Sequence, residues 1–214
     1  MMLAGAPCSQ SGSADDEWVP APEGADGPPR PRGIPFLFDP DETMTADVTY
    51  LPENPAHDAE IEHINEEAFG PGRFARAAYK IREGGQHERP LSFVAVTDGT
   101  VIASVRMTRI AAGEGRGLLL GPLAVRPAFK NLGIGRRLVA MALEAATTAG
   151  EAVVLLVGDE PYYGPLGFRR VPRGQVSMPR PVDLDRILAI EIEPGAVARF
   201  AGEVCHADRA RQSS

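Results

Sequence analysis

Residues 120–139 read LGPLAVRPAFKNLGIGRRLV: an apolar strand runs through a short basic loop with two glycines into a helix. Gly133 and Gly135 have no Cβ atom, so the loop can turn sharply and bring several backbone N–H groups close to one anion. The positive end of the helix dipole begins at the same place. The stretch therefore predicts a phosphate-binding loop, and we expect a diphosphate to lie on its amides.

Two common phosphate-binding signatures do not fit this loop. A dinucleotide fingerprint needs the spacing G-x-G-x-x-G, and a P-loop needs G-x-x-x-x-G-K-[ST]. After Gly135 the chain continues with Arg136, Arg137 and Leu138, which supply neither a third glycine nor a Lys-Ser/Thr pair. The spacing argues against a dinucleotide-binding oxidoreductase. A glycine-rich turn without any ligand remains as the alternative.

The segment from Lys130 to Gly135, which follows Val125-Arg126-Pro127, resembles the acetyl-CoA signature [QR]-x-x-G-x-[GA] of the GNAT acetyltransferase superfamily. Lys130 stands where the family usually has glutamine or arginine. The resemblance implies that this loop and the start of the following helix bind acetyl-CoA. The cofactor-binding residues expected here are Lys130, Asn131, Leu132, Gly133, Ile134, Gly135 and Arg136.

A second motif follows at residues 158–168, GDEPYYGPLGF. It resembles the closing GNAT signature Y-x-x-x-G-F, with Tyr163 in the tyrosine position. The paired tyrosines, the preceding Gly-Asp and the segment MPRPV at 178–182 are most similar to the small bacterial YhbS-type branch. Many members have an asparagine upstream of the tyrosine, whereas here Asp159 stands nearest. Two motifs in the expected order are more specific than either one.

Composition limits the remaining classes of function. With 214 residues, 43% of them hydrophobic, the chain can bury one substantial core, and it has no apolar run that would span a bilayer. Residues 1–45 contain eight acidic and two basic residues, so most of the net charge of −7 lies there and the rest is nearly neutral. We therefore expect no nucleic-acid or membrane partner and a cytoplasmic location. A homodimer is compatible with the sequence.

The cysteines and histidines predict neither a disulfide framework nor a metal site. Cys8 and Cys205 lie near opposite ends of the chain, and the four histidines are scattered. Residues 1–44 are rich in Gly, Pro, Ala, Ser and acidic residues and are predicted to be disordered. Met44 is either an alternative start or an ordinary methionine. The predicted acetyltransferase domain covers residues 45–206, and a short tail follows at 207–214.

Periodicity predicts the element order β-α-α-β-β-β-α-β-α-β-β. This order matches an α/β GNAT acyltransferase fold, a splayed mixed sheet flanked by helices. Strands are predicted at 47–51, 91–96, 101–110, 118–125, 152–157, 186–193 and 198–204, and the longer helices at 57–69, 73–83 and 134–149. Residues 97–100 are predicted to join two of the strands into a hairpin. Residues 111–117 are predicted to form a flexible loop that helps to choose the acceptor.

Pro122 lies inside an apolar strand, where a proline removes a ladder donor and usually marks an edge or a bulge. In the GNAT fold this strand splays from its neighbour. The backbone of Leu123, Ala124 and Val125 would then be free to bind the pantetheine arm of CoA, as in strand addition. The alternative is that Pro122 merely bends a covered strand.

The resemblance also implies how the chemistry would be divided. Tyr163 would protonate the departing CoA thiolate, and the amide of Leu123 or Val125 would stabilise the oxyanion. Two alternatives are that Tyr162 points into the core and that both tyrosines serve only for packing. Transfer is expected to be direct, because both cysteines lie outside the motifs. The predicted function is N-acetyl transfer from acetyl-CoA to a primary amine. The alternative is a non-catalytic acyl-CoA-binding module.

The sequence does not identify the general base or the acceptor. The nearest carboxylates to the end of the central strand are Asp159 and Glu160, with Glu66 and Glu67 on the first helix as further candidates. Of these, Asp159 is the one assigned to the catalytic set. Arg106 and Arg109 receive no role. A small amine, an amino acid and a peptide or protein amine all remain open as acceptors.

Overall fold

The computed structural model describes residues 47–72 and 77–212, so the predicted tail at 1–44 and Met44 lie outside the described residues. The strands are β1 (Thr49–Pro52), β2 (Phe93–Thr97), β3 (Thr100–Gly113), β4 (Gly115–Val125), β5 (Val153–Val157), β6 (Arg169–Arg170), β7 (Val176–Ser177), β8 (Ile187–Glu191) and β9 (Phe200–His206). The helices are α1 (Asp58–Phe69), α2 (Ala77–Arg82), α3 (Ile134–Thr148), α4 (Glu160–Tyr163) and α5 (Ala207–Gln212).

The sheet has the strand order β1-β2-β3-β4-β5-β8-β6, and β9 pairs with both β3 and β7. Among the described strands, β4 pairs with β5 and β7 with β9 in parallel, whereas the other pairs are antiparallel. The predicted hairpin joins β2 to β3. Asp98 and Gly99, with φ angles of 49° and 73°, form its turn. The predicted mixed sheet flanked by helices is confirmed.

Helices cover both faces of the sheet. Leu138 and Ala142 of α3 pack in one core cluster with Phe93 and Ala95 of β2, whereas Val94 packs in another with α1. Successive strand residues point to opposite faces, so α3 and α1 lie on opposite sides of the sheet. The face of α3 predicted to be buried is partly correct: Met141 and Ala145 of that predicted face are half-buried, and Val139, Leu143 and Ala146 are fully buried.

Several boundaries differ from the prediction. The second helix is described at residues 77–82 and ends one residue before the predicted 83, whereas its predicted start at 73–76 lies outside the described residues. The predicted flexible loop at 111–117 is mostly strand, because β9 pairs with the far end of β3 at Ile110 and Ala111. Residues 207–212, within the segment predicted as a tail, are helical as α5. These segments depend on partners distant in sequence, which local patterns do not reveal.

Strand β4 separates from β5 halfway along its length. The register between them covers Leu118 with Val154 and Leu119 with Leu155. Beyond Leu120, β4 continues beside β3 while β5 continues beside β8. A Cβ atom on Gly117 would lie 2.5 Å from the carbonyl oxygen of Val153, so this glycine permits the close approach of β4 to β5 where the two strands pair. The splay predicted around Pro122 is present, and it opens a cleft.

Candidate active site

The loop before α3 makes two left-handed turns in quick succession. Asn131 has a φ angle of 64° and Gly133 one of 76°, and Gly133 is the N-cap of α3. The amides of the first residues, Ile134, Gly135 and Arg136, have no intrahelical acceptor because they begin the helix. Lys130 and Arg136 are exposed beside them. Backbone donors, the helix dipole and two cations thus converge on one point, an arrangement suited to a diphosphate.

Tyr162 lies against this loop. A Cβ atom on Gly135 would come within 2.7 Å of the Tyr162 hydroxyl oxygen. The Arg136 guanidinium carbon lies 5.6 Å from the centroid of the Tyr162 ring. Burial raises the pKa of Tyr162, and the charge of Arg136 offsets part of that rise. The alternative that Tyr162 points into the core is therefore wrong, since its hydroxyl lies at the start of α3.

The edge of β4 that faces the cleft is formed by alternate residues. The amide of Arg126 donates to the carbonyl of Ile102 on β3 over 2.9 Å. Since backbone groups alternate along a strand, the N–H and C=O of Ala124 also face β3, whereas those of Leu123 and Val125 face away from it. The side away from β3 is the side of the cleft. Leu123 and Val125 thus present polar backbone to the cleft, and Ala124 does not.

A cavity of about 480 Å³ occupies the opening between β4 and β5. Its walls come from α1, α2, β3, β4, the end of β5, α4 and the segment before β8. It brings together three residues selected from the sequence, Leu123, Asp159 and Tyr163. The polar and charged side chains that line it are Glu62, Asn65, Tyr79, Arg82, Arg106, Asp159, Tyr163, Asp183 and Arg186.

Tyr163 is held on the cavity wall by its neighbours. Its ring lies 2.3 Å from where a Cβ atom on Gly158 would be, so a glycine is required there. The ring also packs edge-on against Phe168, with 5.8 Å between centroids. Burial raises the pKa of Tyr163, and the charges of Tyr162 and Asp159 raise it further. The phenol consequently stays protonated at neutral pH and can donate a hydrogen bond into the cavity.

The carboxylates singled out from the sequence lie in different places. Asp159 lines the cavity and forms an ion pair with Arg186 over 3.0 Å. Glu160 pairs with Arg170 and Glu67 with Arg126, and neither is among the described residues that line the cavity. Glu66 is also absent from that lining.

Glu62 is a cavity carboxylate that sequence reasoning did not select. It lies one helical turn before Glu66, and its Oε1 atom accepts from Nη1 of Arg106 over 3.0 Å. The signal that could have found it is its position on the same α1 face as the buried residues Ile61 and Asn65.

Arg106, which received no role from the sequence, also reaches the cavity. It lies on β3 between Val105 and Met107, opposite a bulge that Gly121 and Pro122 form in β4. Its Nε and Nη2 atoms donate to Glu53 over 3.0 and 2.9 Å. The signal in the sequence was an arginine between the apolar residues Val105 and Met107 of a predicted strand. Both neighbours are fully buried, and an arginine in such surroundings needs an ionic partner.

Glu53 is the buried centre of this charged network. Its side chain has no solvent exposure and accepts hydrogen bonds from His87, Arg89 and Arg106. Burial by itself raises the pKa of Glu53, but the hydrogen bonds from His87 and Arg106 and their charges outweigh it and hold that pKa below its ordinary value. The network ties β1 and α1 to β3 directly behind the cavity.

Other kinds of site find little support. Among residues 47–72 and 77–212, no three His, Cys, Asp or Glu side chains are grouped so that they could hold a metal ion. None of the helices described is both long and apolar enough to cross a bilayer. Cys205 lies on β9, where its Sγ atom is 3.6 Å from the carbonyl oxygen of Ala111, away from the cavity lining.

The comparisons with known proteins agree with this arrangement. The chain is 29% identical over 114 residues to an uncharacterized N-acetyltransferase, YjhQ, from Escherichia coli strain K12, covering 51% of this chain and 63% of that protein. It thus spans less than two thirds of that relative.

Two solved structures share the fold. One is the Escherichia coli GNAT family N-acetyltransferase YhbS in complex with CoA, with a TM-score of 0.64, 21% identity and coverage of 80% of this chain and 96% of that chain. The other is a GNAT family acetyltransferase from Brucella melitensis in complex with acetyl-CoA. It has a TM-score of 0.57 and 24% identity, and the match covers 77% of this chain and 99% of that chain. The sequence profile of the acetyltransferase (GNAT) family matches residues 58–168, about half of the chain. The chain therefore belongs to the GNAT acetyltransferase family.

Proposed function

We propose that this protein transfers an acetyl group from acetyl-CoA directly to a primary amine. The observation that carries the proposal is the cleft between β4 and β5, which joins the loop at the start of α3 to a cavity lined by Leu123 and Tyr163. A module that only binds an acyl-CoA would need the loop but not a phenol at the inner end of the cleft.

The binding residues act at two places. The amides of Ile134, Gly135 and Arg136, with the side chains of Lys130 and Arg136, hold the diphosphate at the positive end of α3. Asn131 and Leu132 belong to the turn that shapes this loop. Along the cleft, the backbone of Leu123 and Val125 pairs with the pantetheine arm as an added strand would. The two places lie on one continuous stretch of chain, so they are fixed relative to each other.

Acetyl-CoA supplies a thioester whose carbonyl carbon accepts the amine. The amide of Leu123 or Val125 donates to the oxygen of that carbonyl as negative charge develops on it. The new C–N bond forms, the C–S bond breaks, and one proton from the amine ends on the CoA sulfur. No acyl-enzyme is needed, since the described cysteine, Cys205, lies away from the cavity.

Tyr163 donates its hydroxyl hydrogen to the sulfur as the C–S bond breaks, and the phenolate regains a proton from the positively charged nitrogen of the new amide. In net terms one amine proton therefore ends on the sulfur. Because its pKa is raised, this phenol acts as a hydrogen-bond donor to the thiolate over the whole neutral range. An amine with a pKa of about 10.4 is mostly protonated near neutral pH, so a base must take a proton first. Asp159 and Glu62 are the carboxylates that line the cavity beside Tyr163. We assign Asp159 this role, directly or through water.

A screen of primary amines with acetyl-CoA, with release of free CoA thiol as the signal, tests this function. We expect at least one amine to give thiol release that depends on the amine and on the enzyme. Tight acetyl-CoA binding without transfer to any amine would overturn the enzyme assignment and favour the binding module.

A further inference from the structure

We propose that the amine acceptor is a small amino acid-like molecule whose carboxylate is bound by Arg82. The inference rests on the proposed function, because it names the substrate class for the same cavity. It begins from the charges that line that cavity. Three arginines reach it: Arg82, Arg106 and Arg186.

Two of these arginines are neutralised by the protein itself. Arg106 forms ion pairs with Glu53, Asp58 and Glu62. Arg186 forms an ion pair with Asp159. Each of these two guanidinium groups is therefore already paired with a carboxylate of the protein.

Arg82 differs from the other two. It ends α2, and its Nη1 atom donates to the backbone carbonyl of Gly121 over 3.1 Å. Its guanidinium carbon also lies 5.5 Å from the centroid of the Tyr79 ring. Within residues 47–72 and 77–212 it forms no ion pair and no second hydrogen bond, although the charge of Glu62 acts on it without forming an ion pair. A half-buried guanidinium with unused donors is a natural partner for a carboxylate, which it can bind with two parallel hydrogen bonds.

The electrostatic environment of Arg82 also favours an anionic partner. Burial lowers the pKa of Arg82 to about 10, and the nearby positive charge of Arg106 contributes to the decrease. The side chain still carries its charge at neutral pH, but that charge is destabilised where it stands. An anionic ligand would relieve both effects, because it supplies hydrogen bonds and a compensating charge.

Asn65 gives a second, independent indication of a polar ligand. It lines the same cavity and is only 4% exposed. Its Oδ1 atom is buried without a hydrogen-bond partner in the described part of the protein. A buried polar atom of this kind costs free energy unless a partner reaches it, so the cavity is built for a polar molecule rather than an apolar one.

The position of Arg82 fits the reaction centre. It contacts Gly121, and the amide proposed to stabilise the oxyanion belongs to Leu123, two residues along β4. A Cβ atom on Gly121 would lie 4.0 Å from the backbone nitrogen of Leu123, so the two places are close together. A carboxylate at Arg82 and an amine beside the thioester therefore fit in one small molecule, and a cavity of about 480 Å³ has room for it.

The experiment compares matched pairs of acceptors. Acetyl-CoA is supplied with each of the common amino acids and β-alanine, with the carboxamide of each, and with dipeptides, and thiol release is measured. We expect the best free acid to exceed its carboxamide in kcat/KM by at least about 10-fold, the scale of one charged hydrogen bond. Dipeptides should be poor acceptors, because their carboxylate lies too far from the amine.

Variants assign the preference to Arg82. Arg82→Met should raise KM for the free acid by roughly 10- to 100-fold and change KM for the carboxamide much less, so the ratio between the two acceptors is the quantity to measure. Arg82→Lys, which keeps the charge, should restore part of the preference. Arg199→Met removes an exposed arginine that pairs with Glu193 and is not among the described residues that line the cavity, and it serves as the control. Acetyl-CoA affinity and the melting temperature show whether each variant is folded.

The outcomes separate the two proposals. Transfer to carboxamides or simple amines as fast as to free acids, or an acid preference that survives in Arg82→Met, overturns the inference and leaves the proposed function standing. Faster transfer to dipeptides overturns the assignment to free amino acids. Failure of every amine overturns the proposed function, and the inference with it.

Discussion

The hydroxyl of Tyr162 lies beside Gly135, only 2.7 Å from the position that a Cβ atom on that glycine would take. This contact joins the two sequence motifs of the domain, the loop at the start of α3 and the tyrosine pair at the end of β5. It also separates the two tyrosines, because the adjacent Tyr163 lines the cavity instead. The pair therefore divides into one residue at the diphosphate loop and one at the reaction centre.

This division predicts different kinetic effects for the two tyrosines. Tyr163→Phe keeps the packing against Phe168 and removes only the donor, so kcat should fall by roughly 100-fold or more while acetyl-CoA affinity persists. Tyr162→Phe should act mainly on KM for acetyl-CoA. Steady-state kinetics and calorimetry on both variants measure the split. Full activity in both would mean that water protonates the thiolate.

Gly135 tests the diphosphate site. Gly135→Asp adds a negative charge among the amides at the start of α3, and we expect the Kd for acetyl-CoA to rise at least about 10-fold. Gly135→Ala adds the Cβ atom near Tyr162 without the charge and should have a smaller effect. Calorimetry gives both affinities, and circular dichroism checks the fold. Undiminished affinity in Gly135→Asp would place the diphosphate elsewhere.

Glu53 is expected to be important for stability. Glu53→Gln leaves Arg89 and Arg106 without their buried carboxylate, and the free energy of unfolding should fall by about 3 kcal/mol. Glu67→Gln removes a carboxylate from an exposed pair with Arg126 and should cost less than about 1 kcal/mol. Urea unfolding of the two variants gives the comparison. Equal losses would show that burial of the network contributes nothing.

The same network predicts how stability depends on pH. The pKa of Glu53 lies below its ordinary value of 4.5, because hydrogen bonds from His87 and Arg106 and their charges outweigh the opposing effect of burial. The pKa of Asp58 lies below 3.8, chiefly because of its hydrogen bond from Arg89. A lowered pKa in the folded state stabilises the protein above the unfolded value, and this contribution is lost as pH falls through the folded value.

Stability should therefore be steady from pH 7 to about 5 and decrease as the pH drops below about 4.5. Thermal melts across this range measure the decrease. In Glu53→Gln the decrease should be smaller, since one of the two titrating carboxylates is gone. A variant that loses stability as steeply as the parent protein would remove Glu53 from the explanation.

The sequence by itself determined the elements that one continuous stretch can form. Residues 120–139 contain a strand, a left-handed loop and a helix start, and each needs only neighbours in the chain, so the roles of Gly133 and Gly135 could be predicted. The hairpin at residues 97–100 and the position of Tyr163 in its motif were accessible for the same reason. The splay at Pro122 was implied by the resemblance to the GNAT fold, because it depends on a second strand.

Only the tertiary structure decided which side chains meet in the cavity. Glu53 joins Arg106 across 53 residues and His87 across 34, and Arg82 reaches Gly121 across 39. The hydrophobic periodicity of a sequence does not indicate contacts between residues so far apart along the chain. These contacts depend on α1 and α2 packing over the sheet, next to the bulge of β4 that lies opposite Arg106. Whether a charge is neutralised by the protein or left for a ligand is set by that packing, and this is what distinguishes Arg82 from Arg106.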